Sequence, residues 1–270
     1  MPTDLIERNI KDCPNYCAER KKISDSDDRM HLLEVNGLCP VCGNTLIEKS
    51  EKKTKHYEIA HIYPNKPTPE ESKILNEVTV FGENSESFQN KIALCLDCHK
   101  NYDFHKTVME YNVMLNKKRE LYNSFEVKSE LANIDLTQNI ICLLNKISEM
   151  DFADENLDLR LSPLELKQKF SSSESILKRK VMNYVTEYFL SIKSYFENLE
   201  NTKQLNFSRL ATTIRLAYQT SAEYMESKTQ IFDSLVEWLL SKTNSKDSIA
   251  AESIISYFVQ DCEVFDEITK

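Results

Sequence analysis

The chain has 270 residues, with 34 Lys+Arg against 43 Asp+Glu and a formal charge of −9; it is long enough for two ordinary domains and, taken whole, repels polyanions. The acidity is uneven, because residues 1–125 hold 18 Lys+Arg against 20 Asp+Glu while residues 126–270 hold 16 against 23, so a nucleic-acid surface is expected only in the first half. No apolar run approaches a membrane span and the first dozen residues mix in charge as a secretory leader does not; the eight cysteines therefore point to metal binding or free thiols, and the expected location is the cytoplasm.

In chain order, residues 1–36 are expected to form a helical lead-in, since Arg29-Met30-His31-Leu32-Leu33-Glu34-Val35 is amphipathic. It runs into a knuckle at Asn36-Gly37-Leu38-Cys39-Pro40-Val41-Cys42-Gly43. Short strands are predicted at residues 45–49 and 55–62. Pro64, Pro67 and Pro69 stiffen the exit from the second strand and stop further pairing. The acidic stretch from Glu70 to Glu86 then reads as an insertion, and residues 101–118 as a helix.

Glycine occurs only at Gly37, Gly43 and Gly82, and beyond Gly82 the single proline is Pro163. Such a stretch cannot supply the tight turns of a β-rich domain, so residues 119–270 are expected to be all helix. The periodicity agrees. Val185, Tyr188, Phe189, Ile192, Tyr195, Phe196 and Leu199 keep three- and four-residue spacing, as do Ile231, Phe232, Leu235, Val236, Trp238 and Leu239, and then Ala251, Ile254, Ile255, Phe258, Val259 and Cys262. These stripes read as core, with loops at residues 170–175 and 199–203. Cys142 and Cys262 read as small core residues.

Two CxxC pairs, Cys39/Cys42 and Cys95/Cys98, stand 52 residues apart. Each can wrap two thiolates on one ion, and four thiolates mean one structural, closed zinc site that does no chemistry itself. Cys13 and Cys17 form a looser pair that could supply alternative ligands but, without a partner pair, reads rather as free thiols. A zinc joining Cys42 to Cys95 closes a loop that contains His61 and Asn90. Alone, His61 would read as a packed strand histidine.

In this order the residues resemble the HNH endonucleases of the ββα-metal class. Glu58-Ile-Ala-His61-Ile-Tyr-Pro64 looks like the family's first strand motif, and Asn90-Lys-Ile-Ala-Leu-Cys95-Leu-Asp-Cys98-His99 looks like its second. The resemblance covers roughly residues 37–118. It implies a small zinc-stapled HNH domain of α+β type at residues 37–118, after the lead-in at 1–36; the all-α domain at 119–270, expected to serve effector association, makes the protein mostly α overall. It further implies that His61 is the general base, that Asn90 braces and orients it, and that His99 binds a catalytic Mg²⁺ or similar ion for hydrolysis of DNA. Many members carry a metal ligand directly before the first histidine, where this chain has Ala60. Glu58, on the same strand face, and Asp103, one turn after His99, are both candidates for the second ligand. His56 and His105 read as exposed.

The ending, from Ala250-Ala-Glu252 through Tyr257-Phe258 to Phe265-Asp-Glu267-Ile268, together with the Phe232, Trp238 and Leu239 stripe, resembles the C-terminal domain of effector subunits in bacterial ABC-three-component, Lamassu-type antiphage systems. Tyr102-Asp103, Lys106-Thr107 and Glu110-Tyr111 are similar to the nuclease modules of those effectors. The resemblance implies an SMC-like ABC ATPase and a small middle subunit as partners, and self-association of released effector. The expected function is a metal-dependent DNA endonuclease serving antiphage defence. The competing readings are a catalytically inactive zinc-binding adaptor, which Ala60 favours, and an RNase or homing-type nuclease.

Overall fold

A computed structural model of the chain describes residues 7–47, 55–104, 106–134, 166, 168–261 and 264–265. The chain divides into two units, Met1–Phe125 and Glu126–Lys270, each with its own hydrophobic core. Among the described residues, no helix is long and apolar enough to cross a membrane.

The first unit holds two antiparallel strand pairs, β1 (Glu7–Asn9) with β3 (Thr79–Phe81) and β2 (Tyr57–His61) with β4 (Lys91–Cys95). In the second pair the register runs from Tyr57 opposite Cys95 to His61 opposite Lys91. All five residues of β4 are buried, whereas Glu58 of β2 is exposed. Helix α1 (Asp25–Glu34) starts at Ser24, whose side chain accepts from the amide of Asp27, with three aspartates in its first turn; both features complement the free amides of a helix N-terminus. Helix α2 (Pro69–Ile74) begins on a Thr68–Glu71 capping box with proline in its first turn. Helix α3 (Leu96–Phe104) follows β4 without a loop, and α4 (Val108–Ala132) follows α3.

Several expectations are corrected here. Residues 1–36 are not simply helical, because β1 and a 3-10 turn at Ile10–Asp12 precede α1; Tyr16 donates its hydroxyl to Phe81 O at 2.8 Å and joins the same core as β2 and β4. Of the strand expected at 45–49, the described part makes only isolated bridges, Leu38 to Thr45 and Ile47 to Lys55. The knuckle turns the chain back on itself there, with Gly43 at φ +77°. The stretch from Glu70 to Glu86 holds α2 and β3. The helix expected at 101–118 is two helices, because Thr107 and Glu110 cap each other's backbone and start α4 afresh.

The second unit contains α5 (Ser175–Asn201), α6 (Phe207–Tyr224), α7 (Lys228–Thr243) and α8 (Ser248–Gln260). The three apolar stripes fall on α5, α7 and α8 and are largely buried. Helix α8 packs against α5 and α7, and residues 253–259 are all buried. Helix α7 ends on Asn244 in the left-handed region, φ 52°, a conformation asparagine tolerates at a helix C-terminus. Glu252 on α8 accepts from Lys180 Nζ and Tyr184 OH, both at 2.6 Å, which ties α8 to α5.

Candidate functional site

The knuckle positions two cysteines by backbone hydrogen bonds: Cys39 N donates to Asn44 O and Gly43 N to Cys39 O, both at 2.8 Å. Cys95 ends β4 and Cys98 lies in the first turn of α3. The four sulfurs of Cys39, Cys42, Cys95 and Cys98 lie within 4.8 Å of one another, with 3.6 Å between Cys42 Sγ and Cys95 Sγ. Tetrahedral zinc with bonds of about 2.3 Å spaces its sulfurs roughly 3.8 Å apart, so this set could bind one structural zinc. Burial pushes the Cys39 thiol up, but the backbone amides of Cys95, Cys42 and Val41 outweigh it and bring it down to about 7. Burial and the neighbouring sulfurs drive Cys98 up. One thiolate thus suppresses the next, and a shared cation is what allows all four to ionise.

His99 follows this cluster directly. Its Nδ1 lies 2.7 Å from Glu58 Oε2 and its Nε2 lies 3.1 Å from Asp103 Oδ2. Asp103 most of all, and Glu58 with it, raises the histidine above its usual range against the effect of burial. The imidazole in turn holds the Asp103 carboxyl low. Lys106 Nζ stands 3.7 Å from Asp103 Oδ1 and 4.6 Å from the centre of the Tyr102 ring. The Tyr102 hydroxyl donates to Ile62 O at 2.9 Å, fastening α3 to the end of β2. Imidazole nitrogen and carboxylate oxygen suit a hard divalent ion chemically. The two carboxylates, however, sit on opposite ring nitrogens, and among the described residues only the four cysteines bring three or more ligand atoms together.

His61, at the end of β2, is mostly buried. Its Nε2 lies 2.9 Å from Glu86 Oε1, and Glu86 Oε2 accepts from Lys91 Nζ at 2.7 Å. Burial pulls the histidine below its usual value; Glu86 opposes this, while the charges on Lys91 and Arg20 assist it. Burial would raise Glu86, but hydrogen bonds from Lys91 and His61 outweigh it and hold the carboxyl low. At neutral pH the pair is therefore a neutral imidazole and a carboxylate. Glu86 can only accept, so Nε2 carries the proton and Nδ1 the lone pair.

Asn90, almost fully buried, ties the surrounding loops together. Its Oδ1 accepts from Tyr63 N at 2.9 Å, and its Nδ2 donates to Tyr63 O at 3.0 Å and Ser85 O at 2.9 Å. The Ser85–Glu86 loop depends on Gly82, which has φ +88° and where a Cβ would meet Ser87 Cβ at 2.7 Å. No other residue type fits that turn without a shift.

The structure thus brings His99, Glu58 and Asp103 together, and His61 with Asn90 through the loop that carries Glu86. Ala60 is fully buried and offers no ligand. Cys13 is buried and Cys17 exposed, and neither belongs to the sulfur cluster. His56 is half-buried; His105, Cys142 and Cys262 lie outside the described residues. Glu86 and Lys91 were missed in the sequence. Lys91 was findable, because it directly follows Asn90 at the strand position that pairs with His61.

Residues 127–265 match the family model of C-terminal domain 11 of the ABC-three component (ABC-3C) systems. No curated protein and no solved structure matches the chain.

Proposed function

Because the chain belongs to the family of C-terminal domain 11 of the ABC-3C systems, we propose that it is the DNA-cleaving effector subunit of such an antiphage complex. In this reading residues up to Phe125 are an HNH-type, metal-dependent endonuclease, and the acidic helical unit docks on the partner subunits. The observation that carries it is that β2 bears both groups, His61 anchored to Glu86 at its end and, three residues before it, Glu58 held to His99 of α3, which also meets Asp103.

His61 Nδ1 takes a proton from the attacking water, since Glu86 occupies Nε2 and orients the ring. Asn90 holds the loop on which Glu86 sits. His99 with Glu58 and Asp103 would hold a divalent ion, the exposed carboxylates turning to meet it; when bound, such an ion supplies positive charge to the phosphate and the leaving oxygen. The four cysteines would carry one structural zinc, which fixes the start of α3 and so the place of His99.

The second unit carries an acid excess that repels phosphate and suits contact with protein. An SMC-like ABC ATPase and a small middle subunit are the proposed partners, holding the effector until release, after which effector copies associate. The second reading, a zinc-bearing adaptor without catalysis, is favoured by the placement of Glu58 and Asp103 on opposite nitrogens of His99.

The test is supercoiled plasmid with Mg²⁺ and full-length protein, wild type against His61→Ala. Nicking by the wild type alone is expected. Equal nicking by both removes His61 as the base, and no nicking by either, with or without the partner subunits, selects the adaptor. Full cleavage at low concentration, unaffected by the partners, counts against the docking role.

A further inference from the structure

One charged surface is left over by this scheme. Between Asp12 and Asp25 the chain forms no helix or strand, yet it is strapped to the loop that carries Glu86. Ser85 N donates to Tyr16 O at 2.8 Å, Ala18 N donates to Ser85 Oγ at 2.9 Å, and Lys21 N donates to Glu86 Oε2 at 3.3 Å. The same Ser85 hydroxyl donates to Asn65 Oδ1, which brings the neighbouring Lys66 to this loop. Arg20, Lys21, Lys22 and Lys66 are all exposed. Among the described residues none of the four belongs to an ion pair. Glu19, exposed in the same run, offsets only one of the four charges. Arg20 of this patch is one of the charges that act on His61.

A charge run is ordinarily a solvated face. This one is unusual in place, because a chain with excess acid gathers four unpaired cations around the one loop whose carboxylate anchors His61. The segment from Tyr16 to Lys21 is held by its backbone, so the long side chains are left to meet a partner.

We propose that Arg20, Lys21, Lys22 and Lys66 form a grip for the sugar-phosphate backbone of duplex DNA, holding it beside His61. The grip rests on the nuclease reading above and adds to it the surface that presents substrate. It is independent of base sequence, because three of its four cations are lysine point charges and contacts to phosphate carry no sequence information.

The experiment uses the full chain without divalent ion, titrated against fluorescent duplex DNA over a range of salt. The variant is Arg20→Gln/Lys21→Gln/Lys22→Gln/Lys66→Gln. Each phosphate contact contributes about −0.9 to the slope of log K against log salt. The variant is expected to show a slope shallower by roughly 3 to 4 and binding at least about tenfold weaker near 0.1 M salt, with an unchanged thermal midpoint. An unchanged slope and affinity, or no duplex binding by the wild type, overturns the grip. The two readings separate: steep, variant-sensitive binding without cleavage in Mg²⁺, with or without the partner subunits, supports the grip and sinks the nuclease, while cleavage with a variant-insensitive slope does the reverse.

Discussion

His61 Nε2 and Glu86 Oε1 stand 2.9 Å apart, and the other oxygen of that carboxylate holds Lys91. Glu86 therefore fixes both the tautomer and the orientation of the ring, and it partly restores a basicity that burial removes. In Glu86→Gln the amide can donate to Nε2, which moves the ring proton to Nδ1 and, on the proposed nuclease reading, disables His61 as the base. A fall in kcat of about 10²-fold is expected, the scale of general base catalysis. The acid limb of the pH–rate profile, already below about 6.5, should move lower still, because the anion that raised the histidine is gone. Wild-type kcat in this variant would exclude Glu86 as a positioning residue.

The sulfur cluster predicts a zinc content of about one per chain and a stability that depends on it. Cys42→Ser should lose the metal, and calorimetry should show one transition moving down while the other stays. The unaffected transition belongs to the second unit, which contains none of the four cysteines. Freshly purified protein with far less than one zinc per chain, or a variant with wild-type transitions, contradicts the assignment.

His31 on α1 is almost fully buried and stacks on Phe88 at 4.2 Å between ring centres. Burial first of all, with the charge on Lys118, keeps it below its ordinary value in spite of Glu34. Below about pH 6.5 the unfolded chain takes up a proton that the native state refuses. The unfolded state then binds more protons, so stability is full above that pH and is lost as the pH falls toward the native value. His61 contributes in the same direction. The zinc-sensitive transition should weaken between pH 7 and 5, and His31→Phe should flatten that dependence without abolishing it. An identical pH slope in the variant would exclude His31 as a source.

The helical unit was legible because its signal is local: Phe189, Ile192 and Phe196 recur at helical spacing, and each lies on the buried face of a single helix. The paired cysteines were legible because their spacing alone encodes a shared ion. What stayed hidden depends on contacts across the chain. The β1–β3 pair joins residues some 70 positions apart, and three-residue strands carry too little pattern to announce it. Glu86 was unreadable for a different reason: within an acidic stretch nothing marks the one carboxylate that turns inward, and only the loop built on Gly82 and Asn90 directs it to His61.

Glu34 on α1 and Lys118 on α4 form an ion pair with both side chains fully shielded from solvent, and the ammonium lies 4.1 Å from the centre of the Phe88 ring. Phe88 opens the short turn that ends at Asn90, so the pair underlies the loop that orients the candidate base. Taking two ions out of water costs several kcal/mol each, and their attraction offsets this only while both are present. Lys118→Met leaves the buried Glu34 charge without its cation, beside a His31 whose Nδ1 is 3.9 Å away, and should cost about 3–5 kcal/mol. Adding Glu34→Met removes that orphaned charge and should recover most of the loss, since an apolar pair of similar volume is often as stable. Denaturant unfolding of the two single variants and the double variant closes the cycle. Single variants that each cost less than about 1 kcal/mol, with no recovery in the double, would show that water reaches the pair and that it does not support the site.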